Sequence, residues 1–276
     1  MMTKNCFRIL FIPLMVMTFL MIGCGGGDNN NNNELPITNT IGMTFNYISP
    51  GTFTMSISPF ELGRIDDETQ RQVTLTSGYY MQTTEVTQGQ WWQVMGTDPS
   101  SFDDCGDNCP VETVSWDEAQ AFIEELNRRE ATNGYRLPTE AQWEYACRAG
   151  TTTPFSFGEC LSTSQANYDG DYPYTGCSSG TYRKTPIAVA SLGKNAWGLY
   201  DMHGNVWEWC SDWYGSYSSA VPRPDPEGPT SGNYRVIRGG SWNIGARSCR
   251  SANRNGVTPD YRPYDLGFRV VMLPGQ

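Results

Sequence analysis

The sequence predicts an α+β fold: a single loop-rich domain with little regular secondary structure. Three observations lead there. Helix signals are few but well formed, β-like runs are short, and long stretches rich in Gly, Pro, Ser and Asn separate them, notably 151–195 and 214–233. The chain has 276 residues, enough for one large domain or two small ones. From about Pro36 no second linker, low-complexity segment or internal repeat interrupts it, so one domain is expected over residues 39–276. Hydrophobic residues make up 38%, with nine Trp and fifteen Tyr, which is ample material for a core.

Residues 1–23 read as a targeting segment. Lys4 and Arg8 carry positive charge with no acid beside them, and Ile9 to Ile22 is almost wholly apolar. That run of 14 residues falls short of the roughly 20 that span a bilayer as a helix, so the pattern is that of a secretory signal. Its exit, Leu20-Met21-Ile22-Gly23-Cys24, resembles a bacterial lipobox, in which cleavage leaves a lipidated Cys24. Met21 stands where that motif usually has Leu. The alternative is an ordinary signal peptide with an incidental Cys. Residues 24–38 then form a tether, because Gly25 to Glu34 offers nothing apolar to bury. The expected location is outside the cytoplasm, lipid-anchored to a bacterial membrane. Gly25, in place of an acid after the Cys, favours the outer membrane or cell surface.

Capping boxes mark the helices: a Ser or Thr at the N-cap and a Glu or Gln three residues on satisfy each other's backbone N–H groups. Thr87 with Gln90 starts a short helix that runs to Met95-Gly96. Ser115 with Glu118 starts a longer one, with Ala119, Phe122, Ile123 and Leu126 at helical spacing. Pro138-Thr139 opens a third, through Trp143 and Tyr145 to a stop at Gly150. The β-like runs are Phe45–Ile48, Val73–Leu75, Tyr234–Ile237 and Phe268–Met272.

Charge and histidine content exclude several functions. Acids outnumber bases 29 to 19, a net charge of −10, so the chain lacks the cationic footprint of sequence-independent nucleic-acid binding. His203 is the one histidine, which excludes a His-ligated zinc hydrolase and a facial-triad iron centre. Seven Arg lie between Arg235 and Arg269, against only Asp260 and Asp265. Internal Arg–carboxylate pairing is the expectation, with Glu140 and Glu144, one helical turn apart, as partners.

Export permits disulfides. Cys105 and Cys109 flank Gly-Asp-Asn, and Cys160 and Cys177 bracket a polar loop with little else to hold it, so both pairs are expected to be linked. A metal–thiolate site at Cys105 and Cys109 is the alternative. Cys147, Cys210 and Cys249 complete the set beyond Cys24, and one of them must be left over.

Six motifs occur in order: Glu85-Val-Thr87; Pro110-Val-Glu-Thr-Val-Ser-Trp116; Tyr135 to Gly150, with Arg136-Leu-Pro-Thr-Glu140; Asn195 to Trp209, with Gly204-Asn-Val-Trp-Glu208; Arg235-Val-Ile-Arg-Gly-Gly-Ser-Trp242; and Gly267-Phe-Arg269. Together they resemble the formylglycine-generating enzyme (sulfatase-modifying factor) family over roughly residues 40–275. The resemblance implies a fold related to the C-type lectin architecture, in keeping with the loop-rich reading. It also implies calcium at Asp201 and Glu208 through side chains and at Gly204 and Val206 through carbonyls, the hard oxygen donors that this ion takes. A second family site would start at Asn167 and the Tyr168 carbonyl, but its later carboxylate falls near Ser179. Without an ion, the Asp201–Glu208 stretch is a turn braced by Trp207 and Trp209, and His203 is a turn residue.

The family's oxidases are copper-dependent and place two thiols, five residues apart, just beyond the Gly-Gly-Ser-aromatic motif. Here Asn243 to Ser248 contains no thiol, and Cys249 follows alone. One thiol cannot make a two-coordinate Cu(I) site, so copper is not expected. Cys249 and Ser241 would be catalytic only if the chain were an oxidase. Gly239-Gly240-Ser241 is either a tight strand end or a pocket floor for a bound peptide. Two functions therefore stand side by side. One is a membrane-tethered binding or scaffold domain for a peptide, glycan or protein. The other is an enzyme, either a formylglycine-generating oxidase acting on sulfatase cysteine or another oxidase in the same pocket.

Overall fold

A computed structural model describes residues 35–57, 61–217 and 224–275. The signal segment and Cys24 lie outside these residues. Both expected capping boxes form, and Thr139 makes a third with Gln142. Thr87 caps α1 (Gln88–Met95), Ser115 caps α2 (Trp116–Glu130) and Thr139 caps α3 (Glu140–Arg148). Gly96 closes α1 in the left-handed conformation. For α3 the left-handed residue is Ala149, one position before the expected Gly150; its N–H donates to the Tyr145 carbonyl at 3.2 Å, and Gly150 carries the chain onward with φ +89°.

The strands are short. β1 (Ile37–Thr38), β2 (Thr44–Ile48), β3 (Gly51–Met55), β4 (Arg71–Leu75) and β5 (Tyr79–Gln82) precede the first helix. β6 (Tyr135–Arg136) lies between α2 and α3; β7 (Trp207–Trp213), β8 (Arg235–Arg238), β9 (Arg254–Val257), β10 (Leu266–Gly267) and β11 (Val271–Met272) follow. They form a five-stranded sheet in the order β1-β2-β5-β11-β6, a four-stranded sheet in the order β10-β7-β8-β9, and the β3–β4 hairpin. All pairings are antiparallel except β10 with β7. β1 pairs with β2 through Ile37 and Thr38, so the folded domain starts inside the stretch assigned to the tether. Between α3 and β7 the described chain contains turns and isolated bridges but no helix or strand, as the composition of 151–195 predicts.

α2 buries Ala119, Phe122, Ile123 and Leu126. Phe122 stacks on Trp91 at 5.5 Å, and both meet Phe268 edge-on. α3 is buried nearly all round, with Trp143, Ala146 and Cys147 in a second cluster that holds Met81, Cys210 and Val271. Four of the largest fully buried side chains are Arg238, Arg250, Arg254 and Arg269, from the Arg-rich tail. Each has a carboxylate partner, as buried charge requires. Arg254 grips Glu140 with two bonds of 2.7 Å, and Arg238 pairs with Glu144, which also holds Arg148 at 2.8 Å. Arg250 pairs with Glu68 at 2.7 Å and Arg269 with Glu208 at 2.6 Å. The tail is thus an internal anion-pairing array that ties the C-terminal strands to α3 and to the β3–β4 region.

Both expected disulfides are present: Cys105–Cys109 and Cys160–Cys177, with Cα separations of 5.8 and 5.7 Å. Cys147, Cys210 and Cys249 are buried free thiols.

Candidate functional site

The chain leaves β8 through Gly239 and Gly240, both left-handed at φ +94° and +77°. A Cβ on Gly240 would lie 2.6 Å from Cys249 Sγ, so the glycine lets the backbone cross directly over that thiol. Ser241 follows, its hydroxyl 2.8 Å from Asp265 Oδ2 and 2.9 Å from Asn243 Oδ1. Burial raises the Asp265 carboxyl above its ordinary value. Trp242 donates its backbone N–H to the Asn205 carbonyl at 2.9 Å, which fixes this segment to the turn before β7.

Around Trp242 stands an aromatic cluster from four separate segments. Phe102 meets it edge-on at 5.4 Å, Tyr264 lies tilted at 5.7 Å, and Tyr182 stacks at 6.4 Å. Trp242 is itself only 6% exposed, whereas Tyr264 is 49% exposed. Asn243 donates to the Tyr264 hydroxyl at 3.3 Å. The Lys184 ammonium sits 5.8 Å from the Tyr182 ring centroid. Asp265, half-buried, is the polar group beside Tyr264, and the buried Ser241 hydroxyl holds it from below.

Cys249 lies beneath it. Its thiol contacts the Gly245 carbonyl at 3.9 Å, and burial pushes its pKa well up. Cys147 lies against His203, 3.8 and 3.9 Å from the two ring nitrogens and 3.6 Å from Ser251 Oγ, with its thiol pushed up to about 12 by burial. Cys147 and Cys249 are not linked to each other. Buried thiols held in the protonated form do not fit Cu(I), which takes paired thiolates. His203 donates from Nδ1 to the Cys249 carbonyl at 2.8 Å and accepts the Ser156 N–H at Nε2, 3.0 Å away. Burial lowers its pKa to about 4, so the ring is a neutral brace between two loops.

The Asp201–Glu208 turn is interior. Asp201 Oδ2 accepts the Ala190 N–H at 2.8 Å. Gly204 has φ +96° and packs so tightly that a Cβ would lie 2.2 Å from the Asn167 carbonyl. Val206 is buried behind it. Glu208 differs from expectation: Arg269 donates to both of its oxygens at 2.6 Å, and Trp143 Nε1 to one of them at 2.7 Å. Its carboxylate is neutralised by a guanidinium and does not fit a divalent cation as a direct ligand. Glu85 enters instead. Asn205 bridges from Glu85 Oε1, 3.2 Å from its Nδ2, to Asn167, whose Nδ2 lies 3.2 Å from Asn205 Oδ1. The two calcium positions that the resemblance implies are therefore parts of one network. Burial and the neighbouring Asp201 raise Glu85 well above its ordinary value, and burial brings Asp201 to about 6. Glu85 Oε2 and Asn167 Oδ1 are buried acceptors with no hydrogen-bond donor. Such orphaned oxygens fit a hard cation. Tyr168 is buried alongside, with its hydroxyl donating to the Leu161 carbonyl at 2.8 Å. Among the described residues no group of three or more His, Cys, Asp or Glu is arranged as a metal site.

A model of the sulfatase-modifying factor enzyme 1-like domain matches residues 36–273. The chain belongs to that family. It is 39% identical over 170 residues to the formylglycine-generating enzyme of Bos taurus, covering 59% of this chain and 43% of the relative. It is 29% identical over 252 residues to the chaperone protein LppX of Paenibacillus barcinonensis, covering 73% of this chain and 82% of that one. The solved structure of Treponema denticola variable protein 1 superposes with a TM-score of 0.75 at 28% identity, covering 87% of this chain and 99% of that one. The chain spans about half the length of the curated formylglycine-generating enzymes that it matches.

Sequence reasoning missed Phe102, Tyr182, Tyr264, Asp265 and the structural part of Glu85. The aromatic residues lie on loops without periodicity. Glu85 carried a signal, its place in the first of the six motifs, but nothing in the sequence named its partners.

Proposed function

We propose that this chain is a non-oxidase member of its family: an exported, lipid-anchored binding domain that uses the surface around Ser241 and Trp242 to hold a polypeptide. One observation carries the reading. Where the oxidases need two paired thiols, this chain has the single buried Cys249, and the surface above it is built from Trp242, Tyr264, Tyr182 and Phe102. Two disulfides agree with an oxidising compartment. Among the described residues no helix is long and apolar enough to cross a membrane; lipidated Cys24 supplies the anchor in this proposal.

Calcium belongs to the proposal as a structural ion. Asp201 and Glu85 would hold it by carboxylate, with the Gly204 and Val206 carbonyls and the Asn167–Tyr168 segment beside them. Bound there, it would offset the excess of buried acid over the single guanidinium of Arg269. The orphaned Glu85 and Asn167 oxygens support it. The binding reading is tested by incubating copper-loaded protein with a Cys-x-Pro-x-Arg peptide and oxygen. No aldehyde is expected, and aldehyde formation lost in Cys249→Ala would establish the oxidase.

A further inference from the structure

Acids stand next to the aromatic residues in three segments of chain. Asp103 and Asp104 follow Phe102 and are exposed. Asp265 follows Tyr264 and holds Ser241. Asp169, largely buried, accepts the Asp171 N–H at 3.0 Å, and both acids act electrostatically on the Tyr182 hydroxyl. The segment 169–172 is fixed under the surface: Asp169 N–H donates to the Ile244 carbonyl, and Ala246 N–H to the Tyr172 carbonyl. Bases are sparse. Arg262 is paired with Glu118 at 3.1 Å, and Arg183 donates to the Thr163 carbonyl at 2.7 Å. Arg247 donates to the Gly63 carbonyl at 2.8 Å, and Lys184, without a salt bridge among the described residues, lies over the Tyr182 ring.

A ring face presents negative charge, and a cation over it gains more when carboxylates stand nearby. Lys184 marks the place where this surface takes an ammonium. Acids spread over three segments suit several charges in a row rather than one small cation, and the whole chain carries a net charge of −10 that draws cations from solution. We propose that the Phe102–Tyr182–Trp242–Tyr264 surface docks an extended, Lys- and Arg-bearing segment of a partner protein, its cations lying on Tyr182 and Tyr264 and facing Asp265 and Asp171. The inference rests on the binding-domain reading and gives it a ligand class. Lys184 occupies part of the surface and competes with the incoming cation.

The test uses the folded domain and three nine-residue peptides in which Gly alternates with Lys and Arg, with Glu, or with Ser. Binding is followed by calorimetry at low and high salt. The basic peptide should bind, the other two should not, and added salt should weaken binding as it screens exposed charge. Tyr182→Ala and Asp265→Asn should each weaken binding by roughly two- to five-fold, the size of one exposed cation–π contact. Lys184→Ala should strengthen it by removing the competitor. Thermal melting of each variant confirms that it folds; Tyr264→Ser, at an exposed position, gives a second reading if Tyr182→Ala does not. Equal binding of all three peptides, failure of the basic one, or full affinity in the Tyr182 and Tyr264 variants would overturn the inference. If the Ser peptide or a glycan binds instead at this surface, the ligand class is wrong and the binding domain stands. Aldehyde formation on a cysteine peptide would remove the underlying reading itself.

Discussion

Replacing Glu140 with Gln should unlock the buried charge array. Glu140 is 2% exposed and accepts two bonds of 2.7 Å from Arg254 and one of 3.0 Å from the Tyr217 hydroxyl, while Arg238 Nε stands 3.8 Å away. Burial by itself would raise its pKa, but Arg254 and Arg238 overcome that and hold it lower. Gln keeps the shape and removes the charge, leaving Arg238 to Glu144, which also holds Arg148, and Arg254 to Asp67, 4.0 Å away. Breaking a buried pair from one side costs about 3–5 kcal/mol, because the surviving charge stays desolvated. For a domain of this size each kcal/mol moves the midpoint by roughly 2–4 °C, so the melt should fall by roughly 6–20 °C. Adding Arg254→Met should recover at least half of the loss, since a neutral pair leaves no orphaned charge. Urea unfolding of the two single variants and the double variant measures this coupling. A Glu140→Gln loss below ~1 kcal/mol, or a double variant as unstable as the sum of the singles, would refute the argument.

Other outcomes follow from the same geometry. Burial and the nearby Glu140 raise Asp212 to about 7. Its protonated form is the one that the fold tolerates, so it should make stability fall as pH rises from the ordinary carboxylate value near 3.8 to about 7, by up to ~1.4 kcal/mol per pH unit, then level off. Comparing urea midpoints across that range should show Asp212→Asn lacking this slope. Chelator should lower the melting midpoint, and calcium at about 100 times its Kd should raise stability by about 2.7 kcal/mol; Asp201→Ala should abolish both responses, and a chelator-indifferent melt counts against the ion. Cys160→Ser with Cys177→Ser should cost about 3 kcal/mol in the chain-entropy account, whereas a loss near zero would mean that Leu161, Tyr168 and Tyr174 hold the loop unaided. Cys24→Ser should move the protein from the membrane fraction to the soluble one, and unchanged detergent partitioning would end the lipid-anchor proposal.

The parts of this fold that sequence made legible are those written in local chemistry. Thr87, Ser115 and Thr139 announced three helix starts because a cap and its partner lie three residues apart. Cys105 and Cys109 were near neighbours, and Glu140 and Glu144 were the acids on one turn closest in character to what a tail of Arg needs. What stayed hidden depends on separation. β5 and most of β7 are buried on both faces, so the alternation that marks a half-exposed strand is missing. β6 and β10 have two residues each and carry no periodicity at all. At the site, Arg269 claims Glu208 across 61 residues, and Glu85 reaches Asn205 across 120. The resemblance named the acidic turn, but the guanidinium that neutralises Glu208 comes from the last motif and Glu85 from the first, so neither neighbour could be read from the turn itself.

In the proposed reading, one thiol under an aromatic surface leaves this family fold to bind rather than to oxidise. The most direct measurement is mass spectrometry of a Cys-x-Pro-x-Arg peptide after incubation with copper-loaded protein, a thiol reductant and oxygen. The peptide should return with its cysteine intact, in wild type and Cys249→Ala alike. Loss of the thiol and appearance of the aldehyde in wild type, abolished in Cys249→Ala, would contradict the account.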